Sequence, residues 1–138
     1  VSCLALVVIG SALASAARAP VTRYAGKLDG VKVELVAGRK AIQRFSVRAL
    51  SVCDSGYHES GPYKWGYRPN ENPVRFDSEG RFSFRKTNPD NGYLLVFRGR
   101  RTPSKISGVY GYRSNVFDEC FTGKSYRKFL VRFLVYPE

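Results

Sequence analysis

The chain has 138 residues, with 23 Lys and Arg against 11 Asp and Glu, a formal net charge of +12; 43% of its residues are hydrophobic and 14% aromatic. That length holds one domain, and so high an apolar fraction excludes a disordered polyelectrolyte. One His, three Cys and no Met are too few for a Cys/His zinc framework or a haem or iron–sulfur ligand set, so no cofactor or metal is expected.

In chain order, the first feature is an apolar run from Leu4 to Ala17 in which Ala and Ser take over after Gly10. It is shorter than the roughly 20 apolar residues of a membrane span and has the length of a signal-peptide core. Ala14-Ser15-Ala16 has the small-x-small form of a cleavage site. It is preferred to Ala17-Arg18-Ala19, which would leave Pro20 at the new terminus. The basic segment that precedes such a core is missing and the chain begins with Val, as for a start truncated upstream or an alternative start codon translated literally. The expectation is a signal peptide over 1–19, a single β domain over 20–138, and a secreted product. Cys3 leaves with the leader, so Cys53 and Cys120 remain to pair in an oxidising compartment. The loop they close is long, for which chain entropy gives an upper figure of about 4 kcal/mol.

Beyond residue 20 the apolar residues recur with period two. Val31 to Leu35 alternates, and Phe45 to Cys53 places Phe45, Val47, Ala49 and Cys53 on one face. Arg81 to Arg85 alternates about Phe82 and Phe84, Tyr93 to Phe97 is a continuous apolar run, and Ile106 to Tyr112 is β-prone with two glycines. Tyr126 to Tyr136 sets Phe129, Val131, Phe133 and Val135 opposite Lys128 and Arg132. Alternation with Val, Phe and Tyr enrichment predicts strands. Between them lie turn sequences: Asp29-Gly30, Ala37-Gly38, Ser78-Glu79-Gly80, Asn88 to Gly92, and Thr122-Gly123. Asp-Gly and Asn-Gly favour the positive φ of tight hairpins. Residues 54–73, rich in Gly, Pro and aromatics, read as a long loop with a short strand near Tyr63 to Tyr67. The predicted fold is all-β: an antiparallel β-sandwich or a small closed barrel of about eight strands.

Three groups of residues could carry chemistry. Arg supplies 15 of the 23 cations. Arg48, Arg98, Lys128 and Arg132 fall opposite the apolar positions of their strands, where neighbouring strands would build a ladder of cations. The guanidinium fork donates two parallel hydrogen bonds to phosphate, sulfate or carboxylate; the competing reading is a solvated face that keeps the domain in solution. Tyr57, Tyr63, Trp65 and Tyr67 lie together beside His58, Lys64 and Arg68. Such rings either stack on sugars or bases or anchor the loop to the core. Asp54, Asp118 and Glu119 would meet at one rim if Cys53 pairs with Cys120. Close carboxylates can divide acid and base roles, gather a calcium ion, or simply pair with Arg. His58-Glu59 lacks the second His of a zincin, and there is no Gly-x-Ser-x-Gly elbow.

The order of these marks resembles a family of small exported all-β, single-disulfide proteins of high-GC Gram-positive bacteria. Carrying the resemblance over residues 24–136 are Gly26 to Gly30 in an opening hairpin, Phe45 to Cys53, and Gly80 to Phe84 as Gly-x-Phe-x-Phe. Ile106 to Tyr110, as Ile-x-Gly-x-aromatic, and Cys120 to Gly123, as Cys-x-Thr-Gly, complete it. The family has no established activity, so the resemblance implies a fold and a compartment and assigns no site. The functional expectation is a domain that binds an anionic polymer or a cell-wall polysaccharide without catalysis, through Arg48, Arg98, Lys128, Arg132, Tyr57, Tyr63, Trp65 and Tyr67. The alternatives are an enzyme on acidic polysaccharide, with Tyr57 or His58 removing a proton, and a purely structural or interaction domain.

Overall fold

The computed structural model describes residues 20–59, 62–116 and 118–138. The expected leader, 1–19, lies outside them. Twelve strands follow in order: β1 Thr22–Leu28, β2 Val31–Ala37, β3 Ala41–Arg48, β4 Leu50–Cys53, β5 Gly56–Glu59 and β6 Tyr63–Trp65. Then come β7 Val74–Arg75, β8 Arg81–Asn88, β9 Tyr93–Arg101, β10 Ile106–Ser114, β11 Cys120–Phe121 and β12 Val131–Pro137. Every pairing is antiparallel. Sheet A holds β1, β2, β3, β6 and β7. Sheet B holds β4, β5, β8, β9, β10 and β11. β12 joins them, pairing with β10 through Val131–Val135 and with β1 through Tyr136 and Pro137. The sheet does not close into a barrel; the arrangement is sandwich-like.

The turns form where backbone chemistry places them. Asp29 and Gly30 both adopt positive φ, 51° and 79°, which matches the twist of the β1–β2 hairpin. At Ser78 to Gly80, Asp77 Oδ1 accepts the Glu79 and Arg81 N–H groups, and Gly80 turns at φ 78°. Asn88 and Asn91 cap the β8–β9 turn in the same manner.

The predicted run Phe45 to Cys53 is a single inward face that changes sheets at Ala49. Val47 pairs with Tyr63 in sheet A, whereas Val52 pairs with Phe121 in sheet B. Residues 54–73 are more ordered than a long loop. β5 forms a hairpin with β4, and β6 lies along β3. The last strand is shorter than predicted. Thr122 Oγ1 donates to the Phe129 carbonyl at 2.7 Å, and the Lys124 and Ser125 N–H groups turn onto the Lys128 carbonyl. Residues 124–128 are thereby folded into a turn, and the strand begins at Val131.

Phenylalanines fill the space between the sheets. Phe97 stands 4.5 Å from Phe45, 4.8 Å from Phe133 and 5.1 Å from Phe82, centroid to centroid. All three of Phe45, Phe97 and Phe133 are fully buried. The cluster includes Val33, Leu35, Phe45, Val47, Phe82, Phe84, Leu95, Phe97 and Phe133, with Val131 packed against it half-buried. Phe129 is buried apart from it, against Gly111 and the Arg113 guanidinium. Arg101 ties the layers together: its guanidinium donates to the Gly38 and Arg39 carbonyls of the β2–β3 turn and lies 3.8 Å over the Phe76 ring. Among the described residues no helix is long and apolar enough to cross a membrane.

Candidate functional site

Strand pleat decides which side chains reach the surface. In β8, β9, β10 and β12, the register aligns Ser83, Arg98, Val109 and Arg132 in one cross-strand row. The next row toward the chain ends aligns Arg81, Arg100, Ser107 and Leu134. Phe82 and Phe133, at the intervening positions of β8 and β12, point into the core, as does Phe97 beside Arg98. The outer face of sheet B therefore carries Arg81, Arg98, Arg100 and Arg132 across four strands. An open cleft of about 830 Å3 lies there, framed by Arg75, Arg81, Arg98 and Arg100, with Gly99, Ser107, Gly108 and Val109 between them.

Gly99 and Gly108 face each other across β9 and β10. A Cβ on Gly108 would overlap the Arg98 carbonyl oxygen and stand 2.5 Å from the Gly99 Cα. Only glycine permits this approach of the two backbones.

The cations of this outer face differ in their partners. Arg81 is held by Asp77 at 3.3 Å and Glu79 at 2.7 Å, and Arg132 by Asp29 at 3.4 Å. The Arg81 N–H bonded to Asp77 holds that carboxyl below the usual carboxylate range. Arg100 Nε donates to the Glu79 carbonyl. Arg98 is exposed, and no carboxylate pairs with it among the described residues.

The cation ladder expected from Arg48, Arg98, Lys128 and Arg132 is divided by the fold. Arg98 and Arg132 share a row on sheet B. Arg48, opposite Lys32, lies on sheet A, where a smaller cleft of about 230 Å3 gathers Lys32, Glu34, Ser46, Arg48, Lys64 and Tyr67. Lys128 is exposed in the turn that precedes β12. Sequence reasoning missed Arg75, Arg81 and Arg100. The signal for Arg81 and Arg100 was available: each continues the outward parity of its own strand, opposite Phe82 and Phe97.

The aromatic group is divided too. Trp65 and Tyr63 close the edge of the core, Trp65 at 4.8 Å and Tyr63 at 6.1 Å from Phe84, and Trp65 Nε1 donates to the Asn72 carbonyl at 2.8 Å. Lys86 covers Trp65 at 5.1 Å. Tyr67 is exposed, with Lys64 and Arg44 over its ring at 5.4 and 5.7 Å. Tyr57 is the most exposed of the four, on β5 at the outer end of the strand path. None of the four lines the arginine cleft.

Cys53 and Cys120 form the predicted disulfide, directly opposite each other on β4 and β11. Beside it the Asp54 and Asp118 carboxylates each accept a backbone N–H group. Asp118 Oδ2 accepts from Ser55 at 3.1 Å and Asp54 Oδ2 from Glu119 at 3.3 Å. Behind the disulfide, between the sheets, lies a second cavity of about 470 Å3 whose wall includes Tyr63, Tyr93, Tyr110, Tyr112 and Asp118. Burial raises the Tyr63, Tyr93 and Tyr110 phenols above their ordinary value of 10.0; the neighbouring phenols add to it for Tyr93 and Tyr110, and Glu71 for Tyr63. Apart from Tyr63, the sequence reading did not single out these tyrosines; their inward parity with Leu95, Phe97 and Ile106 was the available signal.

Comparison of the chain with protein-family models, with curated proteins and with solved structures returns no match.

Proposed function

We propose that this is an exported, non-catalytic binding domain that holds an anionic polymer across the outer face of sheet B. The observation that carries the reading is the arginine-framed cleft, in which Arg98 stands without a carboxylate partner among the described residues. The cleft is shallow and open, the shape for a chain that passes over the sheet rather than for a small molecule enclosed by it. Guanidinium groups on successive rows can each take a sulfate, phosphate or carboxylate of such a chain. Trp65 is packed and Tyr67 is already covered by cations, so the anionic reading is favoured over stacking on a neutral sugar. Export is supported by the apolar run from Leu4 to Ala17 and by the disulfide; with the family resemblance it points to an anionic polymer of a Gram-positive cell wall.

The test is retention of the purified domain on heparin, DNA and a wall-polymer preparation. Binding should weaken steeply as salt rises, since each neutralised charge releases a counterion, and Arg98→Glu should elute at markedly lower salt than the parent. Weak retention that is indifferent to Arg98 would leave the cations a solvated face. New unsaturated product from a uronate polymer would replace the reading with the enzymatic one.

A further inference from the structure

The tyrosine cavity differs in the sign of its wall from four other clefts of the described surface, each of which has Lys or Arg in its wall. Among the described side chains the tyrosine cavity has none, and the ionisable group besides the phenols is Asp118. In a chain of net charge +12, that is a marked local exception.

The ring faces of the cavity are also uncovered, whereas several rings elsewhere carry the protein's own cations: Lys86 over Trp65, Lys64 and Arg44 over Tyr67, Arg101 over Phe76, and Arg113 over Tyr126 and Phe129. No cation of the described residues covers Tyr63, Tyr93, Tyr110 or Tyr112. Tyr93 and Tyr112 stand 5.2 Å apart at 61°, two walls of a corner. A ring presents its negative face, and a phenol oxygen accepts hydrogen bonds. Asp118 is half-buried, and no Lys or Arg pairs with it among the described residues.

We propose that this cavity binds a compact organic cation, an alkylated ammonium, with its head among the tyrosine rings and Asp118 as its counter-ion. Ring faces attract such a cation most strongly where water is excluded. The repulsion of the distant surface cations is screened beyond a Debye length of about 8 Å at physiological ionic strength. The site is independent of the arginine cleft, so either can fail alone.

The experiment titrates the disulfide-intact protein by calorimetry with choline, with its uncharged isostere 3,3-dimethylbutan-1-ol, and with methyl glucoside. Choline should bind at least about tenfold more tightly than the alcohol, and Asp118→Asn should remove most of that preference without weakening the alcohol. Because Asp118 also accepts the Ser55 N–H, near-ultraviolet circular dichroism must show the variant folded; if it is not, the choline-to-alcohol ratio of the parent protein decides. Equal binding of choline and the alcohol, binding of the glucoside alone, or no binding of choline at millimolar concentration each overturns the proposal.

Discussion

The two recesses of this domain are built from one backbone pattern and have opposite chemistry. The outer cleft of sheet B is framed by four guanidinium groups around Asp77, Phe76 and Phe82, whereas the inner cavity is walled by phenols and one carboxylate with no Lys or Arg among the described side chains. Neighbouring residues of β9 supply both: Arg98 and Arg100 point outward, and Tyr93 and Leu95, of the other parity, point inward. The difference shows that the net charge of a β domain does not describe its interior. Pleat parity sorts the cations to one side of the sheet, and the other side is free to be neutral or acidic.

The largest effect on this comparison should come from the core that underlies both recesses. Phe97 is fully buried beside Arg98 and touches Phe45, Phe82 and Phe133. Phe97→Ala should cost about 3–5 kcal/mol in denaturant unfolding, and both recesses should lose their ligands together. Arg98→Glu should leave the unfolding midpoint close to that of the parent while weakening polyanion binding. If Phe97→Ala is well tolerated, the packing between the sheets is not what positions the cleft.

A smaller effect separates the recesses. Removing the disulfide by Cys53→Ser with Cys120→Ser should destabilise by up to about 4 kcal/mol, read as a lower thermal midpoint. It opens the wall of the tyrosine cavity and leaves sheet B intact at Arg98. Where the domain remains folded, heparin retention should persist while the tyrosine-lined site is impaired.

Smaller again is the response to alkaline pH. Burial raises the Tyr93 and Tyr110 phenols above 10.0 in the folded chain. Below that pH they are neutral in both states and the stability they contribute is complete. Above it the unfolded chain loses these protons first, so stability falls as pH rises toward the folded values, at about 1.4 kcal/mol per pH unit for each phenol so affected. Urea midpoints between pH 8 and 11 should decline from about pH 10, and Tyr110→Phe should flatten the decline. The part of the decline that Tyr110→Phe removes is the part that reports on the inner recess.

Much of the fold was legible because period-two alternation and turn chemistry are local. Asp29-Gly30, the Phe82 and Phe84 strand, and the single inward face from Phe45 to Cys53 all follow from residues a few positions apart. The change of sheet at Ala49 was not legible, since it keeps the alternation intact and alters only the partner strand. The turn over 124–128 was hidden for a related reason: Phe129 keeps its inward parity, while a side chain seven residues earlier, Thr122, captures its carbonyl. The disulfide was readable by elimination, as the pairing of the two cysteines left after the expected leader. For the site, composition named the arginines but not their grouping, because rows across a sheet depend on register between strands far apart in sequence. The same gap let Trp65 read as a binding ring when its partners are Phe84 and the Asn72 carbonyl.

The central claim is that polyanion affinity resides on sheet B rather than being spread over a uniformly basic surface. It is tested most directly by the slope of log K against log salt for a heparin fragment, measured for the parent, for Arg98→Glu and for Arg48→Glu. The two variants carry the same net charge, since each substitution changes it equally from the parent, but only Arg98 frames the cleft of sheet B. The account predicts that Arg98→Glu lowers the slope by about one or more released counterions and weakens binding, while Arg48→Glu stays near the parent. Equal losses for the two variants would contradict it and return the cations to the role of a solvated surface.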